Sequence, residues 1–256
     1  MHYERELEKA LDIVKSAGKL ALEYYRHGAS PEEKADLSPV TLADRESEQF
    51  ISRQLVKFFP GDGILGEEGA LIASSTGRRW LIDPIDGTKD FVRGNPFWSV
   101  QLALQEGNRI VLGVIHCPCM NEILFSAFGT GCFWNGERVF ASGINRLDRS
   151  ILMVSGFNAA WESWPEEALR ALTKSCWTVR CYGGSYNIIM LARGKADVWL
   201  SGSGMEWDYA PARIIARECG AIFLTRRGDG DIDRKHCVVC APGIESHIRA
   251  LLNIPD

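Results

Sequence analysis

From Ser99 to Trp134 the chain reads as four short β-prone runs, SVQLALQ, RIVLGVIHC, EILFSAF and GCFW, separated by the turn signals Glu106-Gly107-Asn108, Cys117-Pro118 and Gly129-Thr130-Gly131. Turns at such close spacing predict an antiparallel meander, and Asn135-Gly136 adds a strong hairpin signal at its end. Upstream, Leu7, Ala10, Leu11, Val14, Ala17, Ala21 and Tyr24 recur every three or four residues and make one apolar helical stripe over residues 4–26. Thr41-x-x-Asp44 announces a second helix, with Phe50, Ile51, Leu55 and Phe58 as its buried face and Pro60-Gly61 as its stop.

Beyond about residue 150 the order alternates. Strand-like ILMVSG, TVRCYG, ADVWLSG, AIFL and HCVVC interleave with helical stretches near 161–174, 185–193, 209–219 and 243–253, an α/β arrangement. The chain therefore divides into an N-terminal α+β half, residues 1–145, and a C-terminal α/β half, residues 146–256, with no internal repeat or flexible linker between them.

The 256 residues, 46% hydrophobic and 24% charged, belong to the ordinary globular class and can bury a substantial core. A net charge of −4 provides no general basic field for nucleic acid, so the expected partner is a small molecule. No apolar run approaches the roughly 20 residues of a membrane helix, and the N-terminal MHYERELEKALDIVKSAG is unlike a signal peptide. The expected location is cytoplasmic. The eight cysteines are scattered through apolar segments and read as reduced core thiols. Cys237-x-x-Cys240 has metal or redox spacing, but it lies inside a β-like run and has no second matching pair, which favours strand packing.

The stretch Trp80-Leu81-Ile82-Asp83-Pro84-Ile85-Asp86-Gly87-Thr88-Lys89-Asp90-Phe91 carries the chemistry. An apolar strand runs into two aspartates, and Pro84 rigidifies its exit so that both carboxylates and the Ile85 carbonyl can face one side. Hard oxygen ligands grouped this way suit Mg²⁺. Gly87 and Thr88 open a turn or helix whose free N–H groups suit an anion. The bland alternative is a capping Asp86 and a turn at Gly87. Gly66-Glu67-Glu68-Gly69, after the apolar Ile64-Leu65, and Trp207-Asp208, after the glycine-rich SGSG, are further acidic places at element ends. As bland readings, Asp208 is an N-cap and Glu67 and Glu68 are solvated loop residues. Glu67, Asp83, Asp86 and Asp208 together would repel a phosphate dianion. Divalent cations must intervene, neutralising the carboxylates, polarising the phosphoryl oxygens and acidifying a water.

At these residues the sequence resembles the inositol monophosphatase superfamily of Mg²⁺-dependent, lithium-sensitive phosphatases. WLIDPIDGTKDF looks like its first signature, GEEG is similar to its upstream acidic turn, WDYAPARIIARECGA resembles its second signature, and KADLSPVTLAD is similar to a segment supplying an aspartate near the attacking water. The resemblance implies a layered α-β-α-β-α fold, frequently a homodimer. It implies one Mg²⁺ on Glu67, Asp83 and the Ile85 carbonyl, a second on Asp83, Asp86 and Asp208, and a third, looser ion near Glu67. Thr88, with Asp44 or Glu67, is implied in activating water, although Thr41 and Asp44 can also be explained as a capping box. Asp86, Gly87, Thr88, Gly184, Ser185 and Glu206 are the expected substrate contacts.

The chain departs from the pattern in three places. Ser201 stands where inositol-specific members carry a glutamate, with Glu206 the nearest acid that could replace it. Pro211 replaces a small residue and is expected in the first helical turn, where it costs no hydrogen bond. The loop Gly183-Gly184-Ser185 lacks the acid expected for a histidinol-phosphate enzyme. The expected function is hydrolysis of a phosphate monoester of a small soluble metabolite. Alternatives are a 3′(2′),5′-bisphosphate nucleotidase, supported by Glu206-Trp207-Asp208 and GTKDF, a fructose-1,6-bisphosphatase, with Lys89, Arg93 or Arg213 meeting a second phosphate, or a histidinol-phosphatase. A rival of another class is a binding protein associating with the transcription machinery, as some relatives are implied to do.

Overall fold

A computed structural model describes residues 3–28, 30–33, 39–232 and 235–255, so residues 34–38 of the KADLSPVTLAD stretch lie outside the described residues. The first helix, α1 (Glu4–His27), buries Ala10, Val14, Ala17 and Ala21 of the expected stripe and adds Ile13, while Leu7, Leu11 and Tyr24 are half-buried at its edge. Two-residue strands β1 (Glu32–Glu33) and β2 (Pro39–Val40) pair antiparallel before α2 (Leu42–Phe58). The α2 N-terminus closes as a capping box, Thr41 with Asp44, and Ile51 and Leu55 turn inward. Burying each of those two side chains stabilises the docked helix by about 1.5–3 kcal/mol.

There follow β3 (Gly63–Gly66), β4 (Leu71–Ile72), β5 (Arg78–Asp86), the short helix α3 (Thr88–Val92), β6 (Ser99–Glu106), β7 (Arg109–Cys117), β8 (Glu122–Ala127), β9 (Gly131–Trp134) and β10 (Glu137–Val139). They form one eight-stranded sheet in the order β10-β9-β8-β7-β6-β5-β3-β4. From β5 to β10 it is the expected meander, and the parallel β3–β5 pair sets Ile64 beside Trp80. The β9–β10 hairpin turns through Asn135 and Gly136, both with positive φ, as its residues dictate.

The remaining elements are β11 (Ile151–Ser155), α4 (Phe157–Ser163), α5 (Glu166–Ser175), β12 (Thr178–Arg180), α6 (Tyr186–Ala192), β13 (Val198–Ser201), α7 (Glu206–Cys219), β14 (Ile222–Leu224), β15 (Cys237–Cys240) and α8 (Glu245–Leu252). Their five-stranded sheet runs β12-β11-β13-β15-β14, parallel around β11 and antiparallel at β15.

Three apolar layers hold the stack together. Residues of α1 and α2 pack on one face of the large sheet, with Trp80, Ile82 and Leu102. Its other face, with Leu81 and Ala103, meets α6 and α7, whose far side meets Met153, Trp199 and Val239 of the small sheet. The outer face of the small sheet, with Leu152, Leu200 and Val238, is covered by α5 and α8. The result is the α-β-α-β-α sandwich that the motifs implied. Cys237 and Cys240 lie in different layers, on opposite faces of β15, so they pack separately and share no metal.

Candidate metal and phosphate site

In a regular strand Asp83 and Asp86, three apart, would face opposite sides of the sheet. They do not, because the ladder between β5 and β6 slips: Asp83 pairs with Gln101 and Asp86 with Ser99, three steps on one strand against two on the other. Pro84 sits in this bulge, where its missing N–H costs no ladder bond. Both carboxylates therefore face α7. The side chain of Ile85 is buried on the other face, with α1 and α2, while its carbonyl accepts from Thr88 Oγ1 at 3.1 Å.

Asp208 comes down from the first turn of α7. One of its oxygens accepts from the Met205 N–H at 2.6 Å, so it closes a capping box from the third helical position, and the N-cap is Met205 rather than Asp208 as foreseen. Single oxygens of Asp83, Asp86 and Asp208 lie within 4.8 Å of one another. Asp83 is buried, whereas Asp86 and Asp208 keep part of their surface open. Glu67 is not in that trio, but after burial its charge is the next largest influence raising Asp83. It rides on the turn after β3, whose Glu67 N–H bonds the Ile82 carbonyl at 3.1 Å.

The electrostatics of this cluster are dominated by buried, mutually repelling carboxylates. Burial, then neighbouring carboxylates, push Asp83 well above the usual range, and burial followed by the charge of Asp86 pushes Asp208 up to about 7. Burial also raises Asp86, against the hydrogen bonds it accepts from Ser185 and Ser99. The Oδ1 atom of Asp83 is buried with no hydrogen-bond partner. An all-oxygen set with an orphaned buried carboxylate oxygen and mutual repulsion fits a hard divalent cation, and Cys or His donors are not needed.

Asp44 closes the capping box of α2 and also faces Thr88. Its Oδ2 accepts from Thr41 N–H at 2.7 Å and Thr41 Oγ1 at 2.5 Å, while Oδ1 accepts from Thr88 Oγ1 at 3.4 Å. Burial lifts its pKa to about 6. Gly87, with φ of 88°, opens α3, and a Cβ there would press on the Phe97 carbonyl. Gly184 (φ 48°) is needed for a different reason, since a Cβ would run into the Asp86 carboxylate. Next to it, Ser185 clamps Asp86 Oδ2 with its N–H at 2.5 Å and its hydroxyl at 2.6 Å.

Other expectations land elsewhere. The carboxylate of Glu206 is paired with Arg79, four residues before Asp83 on β5 and so about 13 Å along the strand, instead of reaching the substrate loop. Ser201 is turned inward, bonded to Tyr209 OH at 3.0 Å. Pro211 is in the second turn of α7, not the first, because the helix already begins at Glu206. Its missing N–H thus leaves the Trp207 carbonyl without its helical donor. The Pro211 backbone and the Ile214 side chain pack where Gly113 has no side chain. Lys89 and Arg93 are exposed, and Arg213 is partly buried.

Two residues escaped the sequence reading. Glu48, 3% exposed, accepts from the N–H groups of Glu68 and Ala70 at 2.8 Å and so shapes the turn that carries Glu67. A Cβ at Gly66 would strike that carboxylate, which explains the glycine. The signal was there: Asp44, Glu48, Ile51 and Leu55 share one helical stripe, so the acids continue a buried face. Asn187, also buried, ties Gly184 to Ser155.

The model of the inositol monophosphatase family matches residues 3–254. The chain belongs to this family. Among its relatives are the histidinol-phosphatase of Chlorobaculum parvum, 34% identical over 87% of this chain and 86% of that protein. Another is the fructose-1,6-bisphosphatase/inositol-1-monophosphatase of Thermotoga maritima, 31% identical over 87% and 85%. The solved structure of the extragenic suppressor protein suhB of Bartonella henselae superposes with a TM-score of 0.89 at 26% identity, covering 97% of this chain and 98% of that one. As a member of the inositol monophosphatase family the chain is a phosphoric monoester hydrolase. No helix of the described residues is long and apolar enough to cross a membrane.

Proposed function

We propose that this chain is a Mg²⁺-dependent phosphatase that removes phosphate from a small soluble metabolite. The observation that carries the reading is the convergence of Asp83, Asp86 and Asp208 within 4.8 Å around an unpartnered Asp83 oxygen. Glu67, Asp83 and the Ile85 carbonyl would hold one ion, Asp83, Asp86 and Asp208 another, and a third, looser ion would sit near Glu67. Bound Mg²⁺ would supply the positive charge and Lewis acidity that a phosphoryl group needs in this anionic pocket.

The chain's own groups do the rest. Gly87 and Thr88 present N–H groups at the start of α3 to the phosphate. Thr88 Oγ1, held between the Ile85 carbonyl and Asp44, orients the attacking water, and Asp44, with a pKa near 6, or Glu67 can take its proton near neutral pH. Ser185 and Gly184 keep Asp86 in place beside the leaving group. The enzyme would act as a cytoplasmic homodimer and be inhibited by Li⁺.

One observation favours a cationic amino-alcohol phosphate over inositol phosphate. Ser201 is buried with its hydroxyl bonded to Tyr209, and Glu206 is paired with Arg79. Asp90, in contrast, stands against Gly183, where it offers the substrate loop the carboxylate its own sequence lacks. The histidinol-phosphatase relative is consistent with this choice. The test is a panel of histidinol phosphate, inositol phosphates, fructose bisphosphate and adenosine bisphosphate with Mg²⁺, with and without Li⁺. The highest kcat/KM is expected for histidinol phosphate. No Mg²⁺-dependent phosphate release from any of them would overturn the enzymatic reading and leave a binding role.

A further inference from the structure

Gln101 is 1% exposed, yet neither its Nε2 nor its Oε1 has a hydrogen-bond partner. Buried amides are rarely left unpaired, because each lost bond costs more than an apolar side chain of the same shape would. Its position explains what the amide is for. Gln101 is the direct cross-strand partner of Asp83, and Ile115 is its partner on the next strand. Directly opposed residues of an antiparallel pair share a sheet face with their Cβ atoms about 4.5–5.5 Å apart. The same face carries Leu81, Ala103 and Gly113 in the neighbouring row, and Pro211 and Ile214 of α7 press on Gly113. One helical turn back from Pro211 is Asp208, which therefore lies over the row of Asp83 and Gln101. Asp83 Oδ1, also buried, is the unpartnered acceptor in that row.

We propose, on the reading of the site given above, that Gln101 is a positioning residue of the metal centre, its Nε2–H donating to the Asp83 carboxylate that would hold the cation. A neutral donor is the chemistry this place requires. A lysine or arginine would compete with the ion for Asp83, and a fifth carboxylate would add repulsion, whereas an amide orients the oxygen without changing the charge. Outer partners of this kind set ligand orientation and hence affinity.

The test is Mg²⁺ titration by calorimetry of the wild type and of Gln101→Leu, with melting temperatures measured in chelator and in saturating Mg²⁺. Gln101→Met serves as a second apolar variant of similar volume if the leucine does not fold. Removing the amide is expected to weaken Mg²⁺ binding by about tenfold or more. The melting temperature in chelator should stay the same or rise, because an unpaired buried amide has gone. The Mg²⁺-induced gain in melting temperature should shrink. Equal affinity in wild type and variants overturns the assignment of Gln101 alone, as does a loss of affinity accompanied by a matching loss of stability in chelator. A wild type that binds no Mg²⁺ overturns the reading of the site itself.

Discussion

Thr88 Oγ1 points to Asp44 Oδ1 across 3.4 Å while the other Asp44 oxygen is engaged at the start of α2, so one side chain joins the helix cap to the proposed path of the water. The two duties are separable. Asp44→Asn retains an acceptor for the cap and should melt within a few degrees of wild type, while kcat falls by roughly 10²–10⁴-fold. Thr41→Ala should do the converse, costing about 1 kcal/mol in chemical denaturation with a much smaller effect on turnover. Equal kcat in Asp44→Asn and wild type would remove Asp44 from the chemistry.

Asp83 is buried among carboxylates, so its charge opposes folding until cations arrive. Asp83→Asn should therefore melt higher than wild type in chelator near neutral pH, lose most of its stabilisation by Mg²⁺, and turn over roughly 10²-fold more slowly or worse. Near-normal activity in a folded, Mg²⁺-saturated Asp83→Asn enzyme counts against the whole assignment.

Burial of these carboxylates, with their mutual repulsion second, sets a pH dependence whose sign is opposite to that of a salt-bridged carboxylate. Asp44 and Asp208 have folded-state pKa values of about 6 and about 7, and Asp83, Asp86 and Glu48 are raised as well. Between the unfolded carboxylate pKa of about 4 and these values, the folded chain holds more protons than the unfolded one, and stability falls as pH rises. The melting temperature in chelator should decline from about pH 5 to about pH 8, and the gain from Mg²⁺ should be largest at the upper end. A flat profile in chelator would show that the acids are not apposed as described.

Glu48→Gln withdraws one of the two acceptors that hold the Glu67 turn. Leaving a backbone N–H of that turn unpaired should cost about 1–3 kcal/mol and weaken Mg²⁺ binding with it. Unchanged Mg²⁺ affinity would make Glu48 a support for the fold alone.

Local chemistry was readable from the chain wherever the decisive partner is close by. Thr41 and Asp44 are three apart, Asn135-Gly136 makes its own turn, and the meander strands adjoin in sequence. The acidic motifs were readable because their residue types are unusual at the ends of apolar strands. The rest depends on distant contacts. Glu206 is held by Arg79, 127 positions away, and Glu48 reaches a turn 20 residues on. Gln101 looks like an ordinary polar interruption of a strand until the register places it opposite Asp83. Pro211 was misplaced by a turn because the helix start depends on Asp208 closing back on Met205.

The slip in the ladder at Pro84 and Ile85 has an evolutionary consequence. It takes a main-chain oxygen out of sheet pairing and turns it toward Thr88, and no exchange of side chain can delete a peptide carbonyl. Variation at position 85 is thus limited by how well an apolar group fits beneath α1 and α2, whereas the oxygen it contributes is inherited with the shape of the strand.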